Sequence, residues 1–249
     1  DHGVEHGPMD FFPNPPSGDP DYQCRLAKEG GYSGIAFHIG LAEKYMHKYA
    51  GDVPLILKIN GRPHIPSGDR PLSVQDALVE DAVRLGADGV GYTLYVGSPR
   101  QDEDFAQLMR VRARCEQYGM PLIVWSYPRG EAIERKGGRD SIYAVDYAAR
   151  LAEELGADVV KLNVPAFADP GNADSPEPYP ELYEAWKELD ENEAYRKAVE
   201  KVVDSAGKTM VLFSGGSKVS DEDLLTKARI CVESGATGLI FGRNMWQRP

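Results

Sequence analysis

Cysteine is scarce in this chain, and long hydrophobic runs are missing. The three cysteines, Cys24, Cys115 and Cys231, are far apart and odd in number, with no Cys-x-x-Cys spacing. This usage argues against a disulfide framework or a zinc knuckle and suits a reducing cytoplasm. The longest apolar runs have the length of strands and fall short of the roughly 18 residues that a membrane helix requires. The opening stretch, DHGVEHGP, has none of the basic and apolar segments of a secretory signal.

Positive charge is also in short supply. The 249 residues carry 28 Lys and Arg against 39 Asp and Glu, a formal net charge of −11. Such acidity argues against nucleic acid or an anionic membrane as a partner, although it leaves room for a local basic pocket that binds a phosphate. With 42% hydrophobic residues, the chain has enough apolar side chains for a sizeable core. We therefore expect a cytoplasmic globular protein.

What the chain does have is a repeated alternation of strand and helix. Short runs rich in Val, Ile, Leu and aromatic residues are each bounded by Gly, Pro or Asp, a pattern typical of buried strands. The predicted strands are 33–38, 54–60, 89–95, 121–127, 158–164, 209–215 and 238–243. Longer amphipathic stretches lie between them and predict helices.

Capping residues support these helices. Ser73, Ser141 and Ser220 each precede an apolar periodicity and are predicted to be N-caps. Three helices end in a Gly-Ala pair that leads directly into the next strand, where glycine is the expected left-handed stop. The pairs are Gly86–Ala87, Gly156–Ala157 and Gly235–Ala236.

The alternation predicts a (β/α)8 TIM barrel that forms a single domain over residues 1–249. Seven strands are visible, so we expect the first strand and the last helix to lie outside the given chain. An open doubly wound sheet is the alternative, but no GxGxxG follows a first strand. An acidic, proline-rich insertion at about 165–191 interrupts the pattern after the sixth strand of the barrel. It is either a surface insertion or a lid or subunit contact.

Three strands end in pairs of side chains spaced by two, which share one face of the strand and point into a barrel mouth. The pairs are Lys58 and Asn60, Trp125 and Tyr127, and Lys161 and Asn163. Asp1 would follow the first strand, so Asp1, Tyr127 and Lys161 would converge on this mouth.

Lys161 stands in the middle of an apolar strand, VVKLNV. It either pairs with a buried carboxylate or serves as a reactive amine. A buried amine that loses its proton attacks a ketone or aldehyde to form a Schiff base, and such chemistry needs an acid/base group nearby. Tyr127 suits the proton transfer, and Asp1 suits carbinolamine formation and dehydration. Their convergence favours the catalytic interpretation, with Lys58 as the rival nucleophile.

The ends of the last two strands predict a phosphate site. Glycines let backbone N–H groups approach an anion, and the loops after strands seven and eight of a barrel are its usual phosphate site. The predicted phosphate-binding residues are Ser214, Gly215, Gly216, Gly242 and Arg243.

The remaining candidates are single side chains. Arg129 follows Tyr127 and would meet a second phosphate or form a surface salt bridge. His2 and His6 have no third ligand at a sensible spacing, so substrate hydrogen bonding by His6 is preferred over a metal site. His38, His47 and His64 are expected to be structural or surface residues.

Taken together, these stretches resemble the archaeal-type class I fructose-1,6-bisphosphate aldolases. The matching motifs appear in order over nearly the whole chain. They are DHGVEHGP, LILKING, GVGYTLYVGS, VWSYPRG, DVVKLN, FSGGSK and GLIFGRNMWQR.

The resemblance implies reversible cleavage of fructose 1,6-bisphosphate into dihydroxyacetone phosphate and glyceraldehyde 3-phosphate, without metal or cofactor. It implies Lys161 as the Schiff-base lysine and Tyr127 as the proton donor and acceptor. Asp1, His6, Lys58 and Trp125 would then lie beside the substrate, and the glycine-rich strand ends would bind its phosphate. It also implies a large homo-oligomer, often a decamer.

Two departures leave alternatives. The segment after Lys161 is longer and more acidic than in compact members, and DHGV and YPRG are shared with a branch that makes a heptulosonate precursor of aromatic amino acids. That transaldolase, or another ketose-phosphate aldolase, is the enzymatic alternative. A catalytically silent barrel that binds phosphosugars is the alternative from a different class.

Overall fold

A computed structural model describes residues 14–63, 68–166, 179–186, 188–215 and 219–248. Its strands are β1 (Ile35–His38), β2 (Leu55–Lys58), β3 (Asn60–Gly61), β4 (Val74–Gln75), β5 (Gly89–Val96), β6 (Leu122–Pro128), β7 (Val159–Leu162), β8 (Met210–Ser214) and β9 (Gly238–Ile240). Seven of them form one parallel sheet in the order β1-β2-β5-β6-β7-β8-β9, and β3 and β4 pair separately as an antiparallel ribbon. All seven predicted strands are confirmed, with ends that differ by at most three residues.

Helices connect the parallel strands. They are α1 (Pro20–Glu29), α2 (Ile39–Tyr45), α3 (Val79–Arg84), α4 (Gln101–Tyr118), α5 (Glu131–Glu134), α6 (Ile142–Glu154), α7 (Pro180–Trp186), α8 (Glu191–Ser205), α9 (Asp221–Glu233) and α10 (Arg243–Trp246). Short 3₁₀ turns occupy Pro15–Gly18 and Met46–Tyr49. Within the described ranges, no helix is long and apolar enough to cross a membrane.

The two faces of the parallel sheet carry different clusters, because successive side chains of a strand point to opposite sides. One face packs against the helices through residues such as Phe37, Leu57 and Val90. The other face holds a smaller cluster around Ala36, Ile123 and Trp125. Parallel strands covered on one side by helices and closed on an inner cluster are those of a TIM barrel, which confirms the predicted fold class. The eighth strand expected before Asp1 is outside the described residues.

Two of the three predicted N-caps are confirmed. Ser141 Oγ accepts a hydrogen bond from the Ala144 N–H at 3.2 Å, and Ser220 Oγ accepts one from the Asp223 N–H at 3.1 Å. The glycines of the three Gly-Ala pairs have the predicted left-handed backbone, with φ of 63°, 85° and 95° at residues 86, 156 and 235. These glycines therefore end their helices as expected.

The N-cap predicted at Ser73 is wrong. Residues 74 and 75 form β4, which pairs with Asn60 and Gly61, and the helix begins only at Val79. There the Asp81 carboxylate accepts a hydrogen bond from the Leu78 N–H at 2.9 Å. A pairing with a segment that is distant in sequence has overridden the local helical pattern.

The insertion predicted at 165–191 is described only in part. It contains α7, and just before that helix the Tyr179 hydroxyl donates to Oδ2 of Asp146 at 2.7 Å. Lys201 binds the same carboxylate from α8 at 3.1 Å. The described end of the insertion is therefore tied to helices α6 and α8 on the outside of the sheet.

Candidate active site

Two lysines meet one indole ring on the inner face of the sheet. Lys58 ends β2, and its Nζ lies 5.3 Å from the centroid of the Trp125 ring. Lys161 lies in β7, and its Nζ is 5.5 Å from the same centroid. All three side chains are buried, with Lys58 and Trp125 1% exposed and Lys161 5% exposed. The electron-rich face of an indole attracts a cation, so Trp125 positions both amines inside the barrel.

Gly91 of β5 makes room for this group. A Cβ atom at this position would lie 2.6 Å from Cζ3 of Trp125 and 3.1 Å from Cγ of Lys58. Gly91 pairs in register with Lys58, and the strand beyond it carries Trp125. The missing side chain is therefore what lets the indole ring reach across β5 toward Lys58.

Tyr127 lies two residues after Trp125 on the same strand. Its ring centroid is 5.8 Å from Nζ of Lys161, and its side chain is partly exposed. Arg129 also approaches this ring, with Cζ 5.3 Å from the Tyr127 centroid and 5.8 Å from the Tyr95 centroid. Burial lowers the pKa of Arg129 from its ordinary value, and its Nη1 donates to the Pro128 carbonyl at 2.7 Å. Tyr127 is thus held between a lysine and an arginine.

Asn163 directly follows β7, the strand of Lys161, and links its end to the end of β8. Its Nδ2 donates to Oδ1 of Asp140 at 2.6 Å, and its Oδ1 accepts a hydrogen bond from Ser214 Oγ at 3.1 Å. The Ser214 hydroxyl has one proton, and that proton is used in the hydrogen bond to Asn163. An anion at this strand end would therefore be met by backbone N–H groups unless the hydroxyl turned away from Asn163.

The ends of β8 and β9 are joined by Asn244, which the sequence analysis did not single out. Asn244 is 1% exposed, its Nδ2 donates to the Gly215 carbonyl at 2.8 Å, and its Oδ1 accepts from the Val219 N–H at 3.1 Å. Gly242 and Arg243 directly precede it and begin α10. A Cβ atom on Gly215 would lie 2.5 Å from the Phe241 ring, so this close approach requires glycine.

The described part of the predicted site therefore forms two groups. Lys58, Trp125, Tyr127, Arg129 and Lys161 are linked through ring contacts, and Ser214, Gly215, Gly242 and Arg243 lie at the neighbouring ends of β8 and β9. Asp1, His6 and Gly216 lie outside the described residues, so their predicted roles stay predictions.

The Asn60 side chain bridges backbone groups. Its Nδ2 donates to the carbonyls of Ser73 and Thr93 at 3.2 and 2.8 Å, and its Oδ1 accepts from the Thr93 N–H at 2.6 Å. With the whole amide bound to backbone, Asn60 joins β3 to β5. Its sequence spacing from Lys58 matched that of the other pairs, but spacing alone does not separate a ligand contact from a backbone bridge.

A buried carboxyl supports β5 from the helix side. Asp104 accepts hydrogen bonds from the Tyr92 hydroxyl at 2.6 Å and from the Tyr95 N–H at 3.0 Å. Burial raises the pKa of Asp104 to about 6. Gln107 donates to the Tyr92 hydroxyl at 2.7 Å and so extends the network. Asp104 thereby holds the end of the strand whose Tyr95 ring contacts Arg129.

Comparison with known proteins agrees with the fold. The chain matches the DeoC/LacD family of aldolases over residues 1–248. It is 42% identical over 249 residues to a class 1 fructose-bisphosphate aldolase of Thermoproteus tenax, covering 100% of this chain and 81% of the relative. A class 1 fructose-bisphosphate aldolase of Halobacterium salinarum is 36% identical over 248 residues, covering 100% of this chain and 82% of the relative.

A solved structure of an archaeal fructose-1,6-bisphosphate aldolase superposes with a TM-score of 0.81 at 41% identity. It covers 100% of this chain and 85% of that one. In that structure the catalytic lysine is covalently bound to the carbinolamine intermediate of the substrate.

The fold and the family match define a barrel aldolase. The chain belongs to the DeoC/LacD family of aldolases, and its relatives are class 1 fructose-bisphosphate aldolases, which confirms the resemblance found in the sequence.

Proposed function

We propose that this protein is a class I aldolase that cleaves fructose 1,6-bisphosphate reversibly, with Lys161 as the Schiff-base lysine. The observation that carries the assignment is the position of Lys161, a buried amine at the carboxyl end of a barrel strand between the rings of Trp125 and Tyr127. Active sites of TIM barrels lie at this end of the strands. The position of Lys161 supports an amine that acts on a bound carbonyl group.

In the proposed reaction, Nζ of Lys161 attacks the C2 carbonyl of the substrate, and loss of water from the carbinolamine leaves a protonated imine. Tyr127 then accepts the proton of the C4 hydroxyl while the C3–C4 bond breaks, and the bonding electrons are stored as an enamine. Glyceraldehyde 3-phosphate leaves. Tyr127 returns this proton to C3, and hydrolysis of the imine then releases dihydroxyacetone phosphate and regenerates the free amine. Asp1 is proposed to assist the loss of water.

The surrounding rings suit these charges. The imine that forms on Lys161 is a cation beside the face of Trp125, 5.5 Å from its centroid, where the indole quadrupole stabilises it. Arg129 lies 5.3 Å from the centroid of the Tyr127 ring and so brings positive charge beside the group proposed to transfer the proton. The described geometry therefore supports Tyr127 as the acid/base partner of Lys161.

The phosphorylated ends of the substrate are proposed to bind at two places. Backbone N–H groups at Gly215, Gly216 and Gly242, together with Ser214 and Arg243, would bind the C1 phosphate at the ends of β8 and β9. Arg129 would meet the second phosphate, with His6 and Lys58 beside the sugar chain. Arg129 and Arg243 supply local positive charge for the phosphates in a protein whose overall charge is negative.

The wider assignments extend this proposal. We propose one barrel domain over residues 1–249, a cytoplasmic location, and assembly into a homo-oligomer such as a decamer. The acidic composition and the scarcity of cysteine support the location.

The test is to trap the Schiff base. The protein is incubated with dihydroxyacetone phosphate and sodium borohydride, digested, and mapped by mass spectrometry. We expect an irreversible adduct on Lys161, together with turnover of fructose 1,6-bisphosphate that EDTA leaves unchanged.

Lys58→Met and Lys161→Met form the matched pair of variants, because both amines face the same indole ring. Lys161→Met should lose the adduct and the cleavage activity, whereas Lys58→Met should keep the adduct. An adduct on Lys58, or no adduct in the unmodified protein, would contradict the assignment. Parallel cleavage rates on other ketose phosphates separate the proposed activity from that of a heptulosonate-type transaldolase.

A further inference from the structure

A histidine that the sequence analysis placed with the structural residues lies on the inner face of the barrel. His38 ends β1 and pairs in register with Lys58. Ala36, two residues earlier, belongs to the inner cluster that contains Trp125. Because side chains two residues apart share a face of a strand, His38 points to the same side as Ala36. The imidazole is therefore inside the barrel, at the level of the candidate active site.

Asp76 lies beside this ring. Its Oδ2 lies 3.1 Å from Nδ1 of His38, and its backbone N–H donates to the Ile59 carbonyl at 2.9 Å. The His38 side chain is 7% exposed and that of Asp76 is 38% exposed. The pair thus runs from the buried inner face to the solvent at the carboxyl ends of the strands, where the mouth of the barrel opens.

Neither ring nitrogen has a well-formed hydrogen bond. Across the described ranges, both nitrogens of His38 are buried without a hydrogen bond, although Nδ1 lies 3.1 Å from Oδ2 of Asp76, and Nε2 has no such neighbour. An ionised carboxylate only accepts hydrogen bonds, so Asp76 favours the tautomer that carries its proton on Nδ1. Nε2 is then a buried acceptor. Buried polar groups in native proteins are normally paired, and the partner that this nitrogen needs is a donor such as a hydroxyl group.

The order of strands indicates which part of a substrate would supply that donor. Resting on the proposed function, the C1 phosphate binds at β8 and β9, on one side of Lys161 in β7. β1, which carries His38, is four strands from β7 in the sheet order, so in an eight-stranded barrel it forms the wall opposite Lys161. The half of the sugar that leaves as the aldehyde then extends toward His38. In that half the C4 hydroxyl gives its proton to Tyr127 and C6 carries a phosphate, which leaves the C5 hydroxyl.

We propose that His38, oriented by Asp76, is a substrate-binding residue whose Nε2 accepts a hydrogen bond from the C5 hydroxyl of fructose 1,6-bisphosphate. This hydroxyl is the 2-hydroxyl of glyceraldehyde 3-phosphate in the direction of synthesis. The His38–Asp76 pair therefore selects aldehydes that carry a hydroxyl group next to the carbonyl.

The experiment compares two aldehydes that differ only in this group. Condensation with dihydroxyacetone phosphate is measured for D-glyceraldehyde 3-phosphate and for 3-oxopropyl phosphate, which lacks the 2-hydroxyl. Loss of one hydrogen bond predicts that His38→Leu lowers kcat/KM for D-glyceraldehyde 3-phosphate about tenfold. The same variant should change kcat/KM for 3-oxopropyl phosphate less than about twofold, since no hydrogen bond is lost there.

Three further variants sharpen the result. His38→Gln keeps a hydrogen-bond acceptor of similar reach and should recover part of the selectivity, and it serves as the second variant if His38→Leu does not fold. Asp76→Ala should show the same hydroxyl-selective loss, with no further loss when it is combined with His38→Leu. The matched control is His47→Leu, an exposed histidine outside the barrel, which should change neither rate.

Equal losses of kcat/KM on both aldehydes in His38→Leu and His38→Gln would assign His38 to packing and overturn the proposal. Unchanged rates on both aldehydes would overturn it as well. Borohydride trapping of dihydroxyacetone phosphate on Lys161 is measured in parallel and should not change in His38→Leu. A lack of trapping in the unmodified protein would instead contradict the proposed function itself.

Discussion

Gly91→Ala tests whether the position of the Trp125 ring controls the activity. The added Cβ would lie 2.6 Å from Cζ3 and 2.9 Å from Cη2 of the indole, and 3.1 Å from Cγ of Lys58. Carbon atoms in contact are separated by about 3.5–4.0 Å, so the ring has to move by roughly 1 Å. Movement away from β5 changes its distance to Nζ of Lys161, which is 5.5 Å.

The expected result has two parts. Overpacking of a buried position costs about 1–3 kcal/mol of the free energy of unfolding. For a chain of this size, each kcal/mol lowers Tm by about 2–4 °C. A displacement of about 1 Å among catalytic groups can reduce the rate about 100-fold, so we expect kcat for cleavage to fall by about that factor. Thermal unfolding and steady-state kinetics on fructose 1,6-bisphosphate measure the two effects.

Two other glycines provide the controls. A Cβ on Gly89 would lie 2.8 Å from Cδ1 of Ile123 and 3.2 Å from Cδ1 of Ile56, so Gly89→Ala overpacks the same face away from the indole. Gly40 has no atom within 4 Å of an added Cβ, and Gly40→Ala should be neutral or slightly stabilising. A role for the Trp125 ring position is refuted if Gly91→Ala keeps the kcat of the unmodified protein, or if Gly89→Ala loses as much activity at equal loss of Tm.

Two further changes have definite expected outcomes. Asn244→Ala leaves the Gly215 carbonyl and the Val219 N–H without their partner, at about 1–3 kcal/mol for each buried group left unpaired, and should raise KM for fructose 1,6-bisphosphate more than it lowers kcat. Asn244→Asp keeps the acceptor for the Val219 N–H but sets a buried carboxylate oxygen against the Gly215 carbonyl, and should have the larger effect in the same kinetic assay. For Asp104, burial raises the pKa from the ordinary value of 3.8 to about 6 in the folded protein, so its stabilising contribution is present below pH 4 and is lost as the pH rises through 6. In urea titrations at several pH values, the free energy of unfolding of Asp104→Asn relative to the unmodified protein should therefore rise by about 2 kcal/mol between pH 4 and pH 6. A constant difference across this range would contradict the assignment.

Most of the fold could be predicted because each repeat carries its own local signals. Ser141 and Ser220 cap their helices through the hydroxyl, and the glycines at 86, 156 and 235 adopt the left-handed backbone that ends a helix. These signals act over a few residues and do not depend on the rest of the chain. Ser73 failed as a cap because β4 pairs with Asn60 and Gly61, a contact between distant segments.

The site was predictable where residue type and strand position pointed the same way. Lys161 stood out because a lysine is unusual in an apolar strand. Asn244 and His38 carried no comparable signal, since an asparagine at a helix start and a histidine at a strand end are common. What distinguishes them is burial and the atoms they face. The two loop ends that Asn244 joins are 25 to 29 residues away in sequence, and His38 lies 38 residues before Asp76.

The structure also bears on why one of two buried lysines should carry the chemistry. Nζ of Lys58 and Nζ of Lys161 lie at nearly equal distances from the Trp125 centroid, 5.3 and 5.5 Å, so the indole does not discriminate between them. Tyr127 does, because its ring contacts Nζ of Lys161 at 5.8 Å and follows Trp125 on the same face of β6. A Schiff base becomes a lyase intermediate only if an acid/base group reaches the bond that breaks. The alternation of β6, which places Trp125 and then Tyr127 beside β7, therefore favours Lys161 over an equally buried neighbour.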